Sequence, residues 1–233
     1  MVSRYLILET SHRIGTVALA VDGAIVAERR LDEARRHARD LVPAIQELLR
    51  GQSWSARELD GVVVSSGPGS YTGLRVGLMS AKTLAYATGC ALLAVPTFEA
   101  IREQAPGAGP NVDVIADAQQ NHVYVQRFGT NPEPLMILPL EMWLESALAW
   151  NVAVTGPGLE TLADRMPPGL AMLPEAYWHA KPAGLLGVSL PRIQLGERDD
   201  PFAVEPLYLR VSSAEEKWAQ LHPRPAQQAI QTG

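Results

Sequence analysis

The stretch Ser65-Ser66-Gly67-Pro68-Gly69-Ser70-Tyr71-Thr72-Gly73-Leu74-Arg75-Val76-Gly77 joins a valine-rich run to a long helical pattern. Leu59 to Ser65 reads as a compact buried strand, and the spacing of apolar residues predicts a helix from Thr72 to Thr88 that Gly89 terminates. A strand feeding a helix through a glycine-rich turn is the unit from which α/β sheets are wound. Two readings of the turn stand side by side. The glycines let strand and helix pack closely, or amides at the helix N-terminus converge on a phosphate. The segment lacks the lysine and following hydroxyl of a P-loop, and it does not fit the dinucleotide-binding spacing. Beyond the turn, Gly73, Gly77 and Ala81 recur every four residues and form a narrow ridge, with Leu74, Leu78 and Ala85 alongside. Such a ridge admits another backbone, from the same chain or from a partner. Arg75 in the first turn opposes the helix dipole, so it calls for an anionic or neighbouring-chain contact or for solvent.

Upstream, Tyr5 to Glu9, Thr16 to Val21 and Ala24 to Arg29 read as a three-strand meander, with Asp22-Gly23 as a tight hairpin turn. A helix is expected from about Ala38 to Leu49, where Leu41, Ile45, Leu48 and Leu49 recur. Downstream, Ala91 to Val95 is a strand stopped by Pro96, and Thr97 is the expected cap of a helix from Phe98 to about Gln104. Pro106-Gly107-Ala108-Gly109-Pro110 marks a domain boundary. Past it the opening outline repeats. Val112 to Ala116 is an apolar strand, Asp117 to Asn121 a polar turn, and His122 to Phe128 a second strand. A helix over Leu140 to Ala149 and a strand over Val152 to Thr155 follow. Ala183 to Leu190 is expected to close this second unit, Leu207 to Val211 to be strand-like, and Glu215 to Leu221 to be a short helix before a frayed end. The division is therefore 1–105, 111–211 and a C-terminal 212–233 segment.

Two carboxylates end corresponding strands, Glu9 before Thr10 and Ser11 in the first unit and Asp117 in the second. Facing one another, they would suit a magnesium–nucleotide cleft, although acidic residues are also ordinary turn formers. The five histidines show no four-residue pairing and assemble no metal motif. A Ser70, His37 and Asp117 triad can be drawn, but the Gly-x-Ser-x-Gly nucleophile elbow is absent. Of 233 residues 47% are apolar and 19% charged, and 20 Lys+Arg against 25 Asp+Glu leave a net charge of −5. That balance excludes a polycationic nucleic-acid coat protein. The lone Cys90 excludes an internal disulfide and a cysteine zinc cluster. Arg4, Glu9, His12 and Arg13 interrupt the first twenty residues, so neither a signal peptide nor a membrane span is expected, and the default location is the cytoplasm.

Taken together, "LILETS" at 6–11, "SSGPGSYTGLRVGLMSAKTLAYATG" at 65–89, "VPTFEAI" at 95–101, "DAQQNHVYV" at 117–125 and "EPLYLR" at 205–210 resemble the bacterial TsaB (YeaZ) family. The resemblance implies an actin-like ATPase and sugar-kinase (ribonuclease H-like) α/β fold of two lobes, the second reduced. It also implies a non-catalytic subunit for making N6-threonylcarbamoyladenosine at position 37 of tRNA. Such a subunit pairs with and activates a TsaD-like transferase, together with a TsaE-like ATPase, and meets tRNA through that complex. In isolation the same surface is expected to give a homodimer. No cofactor or metal is expected of the chain alone, while ATP or ADP with magnesium belongs to the complex. In the catalytic paralogue, the stretch matching "VPTFEAI" carries two metal-binding histidines four residues apart, where this chain has Thr97 and Ile101. The family's first strand commonly ends in aspartate where Glu9 stands, and Gln119 replaces a common arginine. The family pairs through first-lobe helices, which makes Gly73, Leu74, Arg75, Gly77, Leu78 and Ala81, with Leu41 and Ile45 on the neighbouring helix, the expected partner face. Glu9, Thr10, Ser11, Gly67, Gly69 and Asp117 are the expected positions of any nucleotide contact. The rival reading is a nucleotide hydrolase or kinase-like enzyme using the Gly67–Gly73 loop with Glu9 and Asp117.

Overall fold

A computed structural model describes residues 3–31, 37–105 and 107–207. The first sheet is built from β1 (Arg4–Glu9), β2 (Thr16–Val21), β3 (Ala24–Arg30), β4 (Gly61–Gly67) and β5 (Ala91–Pro96), in the order β3-β2-β1-β4-β5. The expected meander is antiparallel, turning at Asp22 and Gly23, and β1 then runs parallel to β4 and β4 to β5. Parallel neighbours need crossovers, and α1 (His37–Gly51) and α2 (Tyr71–Thr88) supply them. α2 ends at Gly89, whose φ of 76° lets its N–H return to the Ala85 carbonyl.

The second sheet repeats this plan. It contains β6 (Val112–Asp117), β7 (His122–Phe128), β8 (Met136–Pro139), β9 (Ala153–Thr155) and β10 (Ala171–Met172), in the order β10-β9-β6-β7-β8. β6, β7 and β8 form an antiparallel meander, and β9 and β10 add parallel strands on the other side of β6. The helices α4 (Leu140–Ala149) and α5 (Leu159–Leu162) take the places of α1 and α2. Here the counterpart of the 18-residue α2 has shrunk to four residues and the last strand to two. The result is the two-lobed actin-like, ribonuclease H-like α/β fold with a reduced second lobe.

Strand alternation sends Leu6, Leu8, Val62 and Val64 toward Leu41 of α1 and Leu78 and Ala81 of α2. It sends Tyr5, Ile7, Val63 and Leu93 to the opposite face. That face is covered by Phe98 and Ile101 of α3 (Thr97–Glu103) and by Leu185 and Leu186 of α6 (Pro182–Gln194). Val112 and Val114 of the second sheet join the same cluster. The paired helices α3 and α6 therefore form a layer between the two sheets.

Two expectations need correction here. α6, expected to close the second unit, packs on α3 and on β1, β2, β4 and β5, because Leu185 and Leu186 match the apolar face that α3 alone leaves uncovered. Thr97 does not cap α3. Pro96 takes that position, and Thr97 is the first helical residue, its buried hydroxyl accepting the Gly67 N–H at 3.1 Å. The strand expected over 207–211 falls outside the described residues beyond Leu207, as do the 215–221 helix and the tail.

One buried ion pair fixes the second lobe. Asp113 and Arg127 stand directly opposite across β6 and β7. Both Asp113 carboxylate oxygens accept from the Arg127 guanidinium at 2.8 Å, and Oδ2 also accepts from Trp143 Nε1 at 2.9 Å. Removing one member strands a buried charge, whereas an apolar pair of similar volume does not. Asp113→Ala is expected to cost about 3 to 5 kcal/mol in urea denaturation. Asp113→Leu combined with Arg127→Met is expected to lose much less than either single change.

Candidate functional site

The end of β1 is the most constrained place in the first lobe. Continuing the alternation, Glu9 faces the inter-lobe side and Thr10 faces α2. Glu9 is 1% exposed. Its Oε1 accepts the Ser11 N–H at 2.8 Å and the Ser11 hydroxyl. Burial pushes its carboxyl up to about 7 from an ordinary 4.5, against the opposing hydrogen bonds from the Ser11 hydroxyl, the Ser11 N–H and the Ser65 hydroxyl. The neighbouring Thr10 N–H is held by Ser65 Oγ at 3.1 Å.

Against this turn lies the glycine loop. The Ser11 carbonyl accepts the Ser70 N–H at 2.6 Å, and a Cβ on Gly69 would collide with that same carbonyl. About two helical turns further, a Cβ on Gly77 would collide with Thr10 Oγ1. Three further amides of the loop and helix start are engaged as well. Gly67 N–H goes to Thr97, Gly73 N–H to Ser70 Oγ at 3.2 Å, and Leu74 N–H to the Ser70 carbonyl. Leu207 N–H closes the outer side on the Ser66 carbonyl at 2.8 Å. Of the two readings of the loop, the close-packing one describes what these glycines do.

Glu9, Thr10, Ser11, Gly67 and Gly69 thus come together, and Ser65 and Thr97 join them. Asp117 occupies the equivalent place at the end of β6 but is exposed. Its Oδ1 accepts the Gln119 N–H of its own turn at 2.7 Å and its Oδ2 the Thr161 hydroxyl of α5 at 3.4 Å. In that turn Gln119, Gln120 and Asn121 all have positive φ.

The expected partner face divides in two. Gly73, Leu74, Gly77, Leu78 and Ala81 are buried, as is Leu41, while Ile45 is half-buried. This corrects the expectation that the ridge presents itself to a partner. Gly77 in particular is required by the chain's own β1 turn, because a Cβ there would collide with Thr10. Arg75 does point outward, where Nη1 donates to the Tyr71 hydroxyl at 2.6 Å. Tyr71, Met79, Thr83 and Tyr86 are exposed on the same helix, Met79 and Tyr86 by 59% and 75%.

A further group was not legible in the sequence. His12, just past the β1 turn, meets Glu160 of α5 and His179, which precedes α6. Glu160 Oε2 lies 3.4 Å from His12 Nε2, and Oε1 lies 2.9 Å from His179 Nε2. The two ring centroids lie 3.8 Å apart with the planes tilted by 31°. The expectation that no histidines assemble a metal-type grouping is therefore corrected. His12 is separated from Glu160 by 148 positions, and only the packing of the lobes unites it with the other two.

A family model described as TsaD, tRNA N6-adenosine threonylcarbamoyltransferase, matches residues 26–179. The tRNA threonylcarbamoyladenosine biosynthesis protein TsaB of Bacillus subtilis is 27% identical over 225 residues, covering 91% of this chain and 96% of that protein. Its Escherichia coli namesake is 29% identical over 123 residues, 52% of this chain and 53% of that one. A solved structure described as an uncharacterized protein with similarity to peptidase YEAZ from Pseudomonas aeruginosa is 26% identical with a TM-score of 0.75, over 89% of this chain and 100% of the other. YeaZ from Pseudomonas aeruginosa shares the fold at 24% identity, with a TM-score of 0.73 and the same coverage.

Two outcomes follow from the geometry. Because the folded-state pKa of Glu9 lies above its unfolded value, the folded chain binds more protons between pH 4.5 and about 7, and stability falls as pH rises through that window. Glu9→Gln should remove this fall, leaving the variant more stable than wild type at pH 8 by about 3 kcal/mol at most, as read from urea midpoints across pH. Gly77→Ala should lower stability by about 1 to 3 kcal/mol through overpacking against Thr10, measured by the same denaturation.

Proposed function

Because the chain belongs to the family that the TsaD model describes, on its TsaB (YeaZ) branch, we propose that it is a non-catalytic subunit of the tRNA threonylcarbamoyladenosine machinery. In this reading it pairs with and activates a TsaD-like transferase, works with a TsaE-like ATPase, and meets tRNA through the complex. The observation that carries the proposal is the filling of its glycine loop by its own chain. The Ser11 carbonyl takes the Ser70 amide that would otherwise be open to a phosphate, a Cβ on Gly69 would strike the same carbonyl, and the Gly67, Gly73 and Leu74 N–H groups are also bonded internally. Thr97 and Ile101, at the positions of the paralogue's metal histidines, are both buried in the core. Threonine is a poor metal ligand and isoleucine is none.

The rival nucleotide hydrolase or kinase-like reading needs Glu9 and Asp117 to act across one cleft. Glu9 is instead sealed by Ser11 and Ser65, and Asp117 is occupied in its turn. ATP or ADP with magnesium is accordingly assigned to the assembled complex. Among the described residues no helix is long and apolar enough to cross a membrane.

The pairing surface we assign is the outer side of α2. It displays Tyr71, Arg75, Met79, Thr83 and Tyr86, with Val42 exposed on the adjoining α1. The same surface would serve a homodimer in the isolated chain. Aromatic residues, methionine and arginine are the types enriched where proteins meet.

Reconstitution of threonylcarbamoyl transfer from the cognate TsaD-like and TsaE-like partners tests the assignment. Omission of this chain should abolish or sharply reduce modification, and undiminished modification without it would refute the role. Met79→Asp should weaken pairing by about 10-fold, or about 1.4 kcal/mol, with thermal unfolding of the single chain unchanged. Arg75→Ala should cause a smaller, salt-sensitive loss at the rim. Unchanged affinity in both variants would move the interface elsewhere.

A further inference from the structure

We propose that His12, Glu160 and His179 form a site for a divalent transition-metal ion, zinc by its donor set, which fastens the turn after β1 to the second lobe. Two imidazole nitrogens and one carboxylate are the three protein ligands of open zinc sites, which leave a fourth position for water or an anion. Magnesium and calcium prefer an all-oxygen shell, which this group does not offer. The spacing also fits. Zinc–nitrogen bonds of about 2.0–2.1 Å in a tetrahedron place neighbouring ligand atoms about 3.3 Å apart. Glu160 stands 2.9 Å from one imidazole nitrogen and 3.4 Å from the other, and the ligand atoms of all three residues lie within 4.8 Å of one another.

The two imidazole rings lie with their centroids 3.8 Å apart, and both reach the one Glu160 carboxylate. The ligands are positioned in advance by contacts unrelated to any ion. The residue before His12 is clamped to Glu9, and the His179 carbonyl accepts from Gln104 Nε2 at 2.5 Å. Nδ1 of His179 is buried without a hydrogen-bond partner, so the ring's polar anchorage rests on Nε2. Without a carboxylate or carbonyl to orient that second nitrogen, affinity should fall below that of zinc sites with an oriented outer shell. The three side chains remain 23%, 46% and 25% exposed, which gives the ion a path in from solvent.

Its placement gives the site a consequence for the fold. His12 lies three residues beyond Glu9, and Glu160 precedes Thr161, whose hydroxyl reaches Asp117. A bound ion would therefore tie together the ends of β1 and β6, the two equivalent strands of the lobes. The site is separate from the Thr97 and Ile101 positions, which are sealed in the core.

The test uses the full chain, freed of any affinity tag and stripped with a chelator. Zinc is titrated by calorimetry, and cobalt is followed by visible absorption as a spectroscopic substitute. One zinc ion per chain is expected, with a rise in the thermal midpoint that a chelator reverses and cobalt bands of a four-coordinate site. His12→Gln, Glu160→Gln and His179→Gln should each weaken zinc binding by about 10-fold or more. Circular dichroism of the metal-free variants confirms folding, and Glu160→Gln, at the most exposed of the three positions, keeps the test decisive should a histidine variant unfold. Failure to bind zinc, or binding with unchanged affinity in the variants, would overturn the site. Neither result bears on the reconstitution experiment, so this inference and the proposed function stand or fall separately.

Discussion

Everything in the first lobe depends on how closely the turn after β1 approaches the start of α2. The Ser11 carbonyl sits on Gly69 and Ser70, and Thr10 sits on Gly77. Neither contact tolerates a Cβ on the helix side. From this approach follow the position of α2 over the sheet, the burial of Glu9 and the direction in which the loop past Ser11 departs. An anion-binding loop and a closely packed one require the same residue types. What separates them is whether the amides point at empty space or at the chain's own oxygens, and here the Ser70 amide points at the Ser11 carbonyl and the Gly67 amide at the Thr97 hydroxyl.

The duplicated sheets explain why the two ends of the chain are interdependent. Each lobe carries a last helix, α3 or α6, and these pack together between the sheets. Packing of the lobes brings His12, from the start of the chain, beside Glu160 and His179 of the second half. The lobes differ in how they are braced. The first relies on aliphatic layers on both faces of its sheet, whereas the second, with its shortened strands and helix, adds the buried Asp113–Arg127–Trp143 cluster.

Much of the architecture was legible because the local signals agreed with one another. Alternating apolar strands, the Asp22-Gly23 turn and the small-residue helix ended by Gly89 all appear within a residue or two of where their chemistry puts them. The direction of the Gly73–Ala81 ridge was not legible. Periodicity shows that a helix has a narrow face but not whether the neighbouring backbone belongs to the same chain. Thr97 illustrates a similar limit. A threonine before a helix reads as a cap, yet the parallel neighbour β4 brings the Gly67 N–H to its hydroxyl, an encounter between residues thirty positions apart. The histidine–glutamate group was hidden for the same reason, since spacing motifs detect ligands on one helix or turn and not those gathered by tertiary packing.

The docking of α6 on the first sheet also bears on how the chain reaches its native state during synthesis. The inner face of that sheet is complete only when Leu185 and Leu186 arrive, although its strands are finished by Pro96. On the ribosome, nearly a hundred further residues must emerge while Tyr5, Ile7, Val63 and Leu93 have α3 alone to cover them. Long-range closure of this kind slows folding and prolongs the exposure of apolar surface to other nascent chains. The first hundred residues are therefore a topological unit without being an autonomous one, and a nascent chain halted before α6 would be a natural client for chaperones.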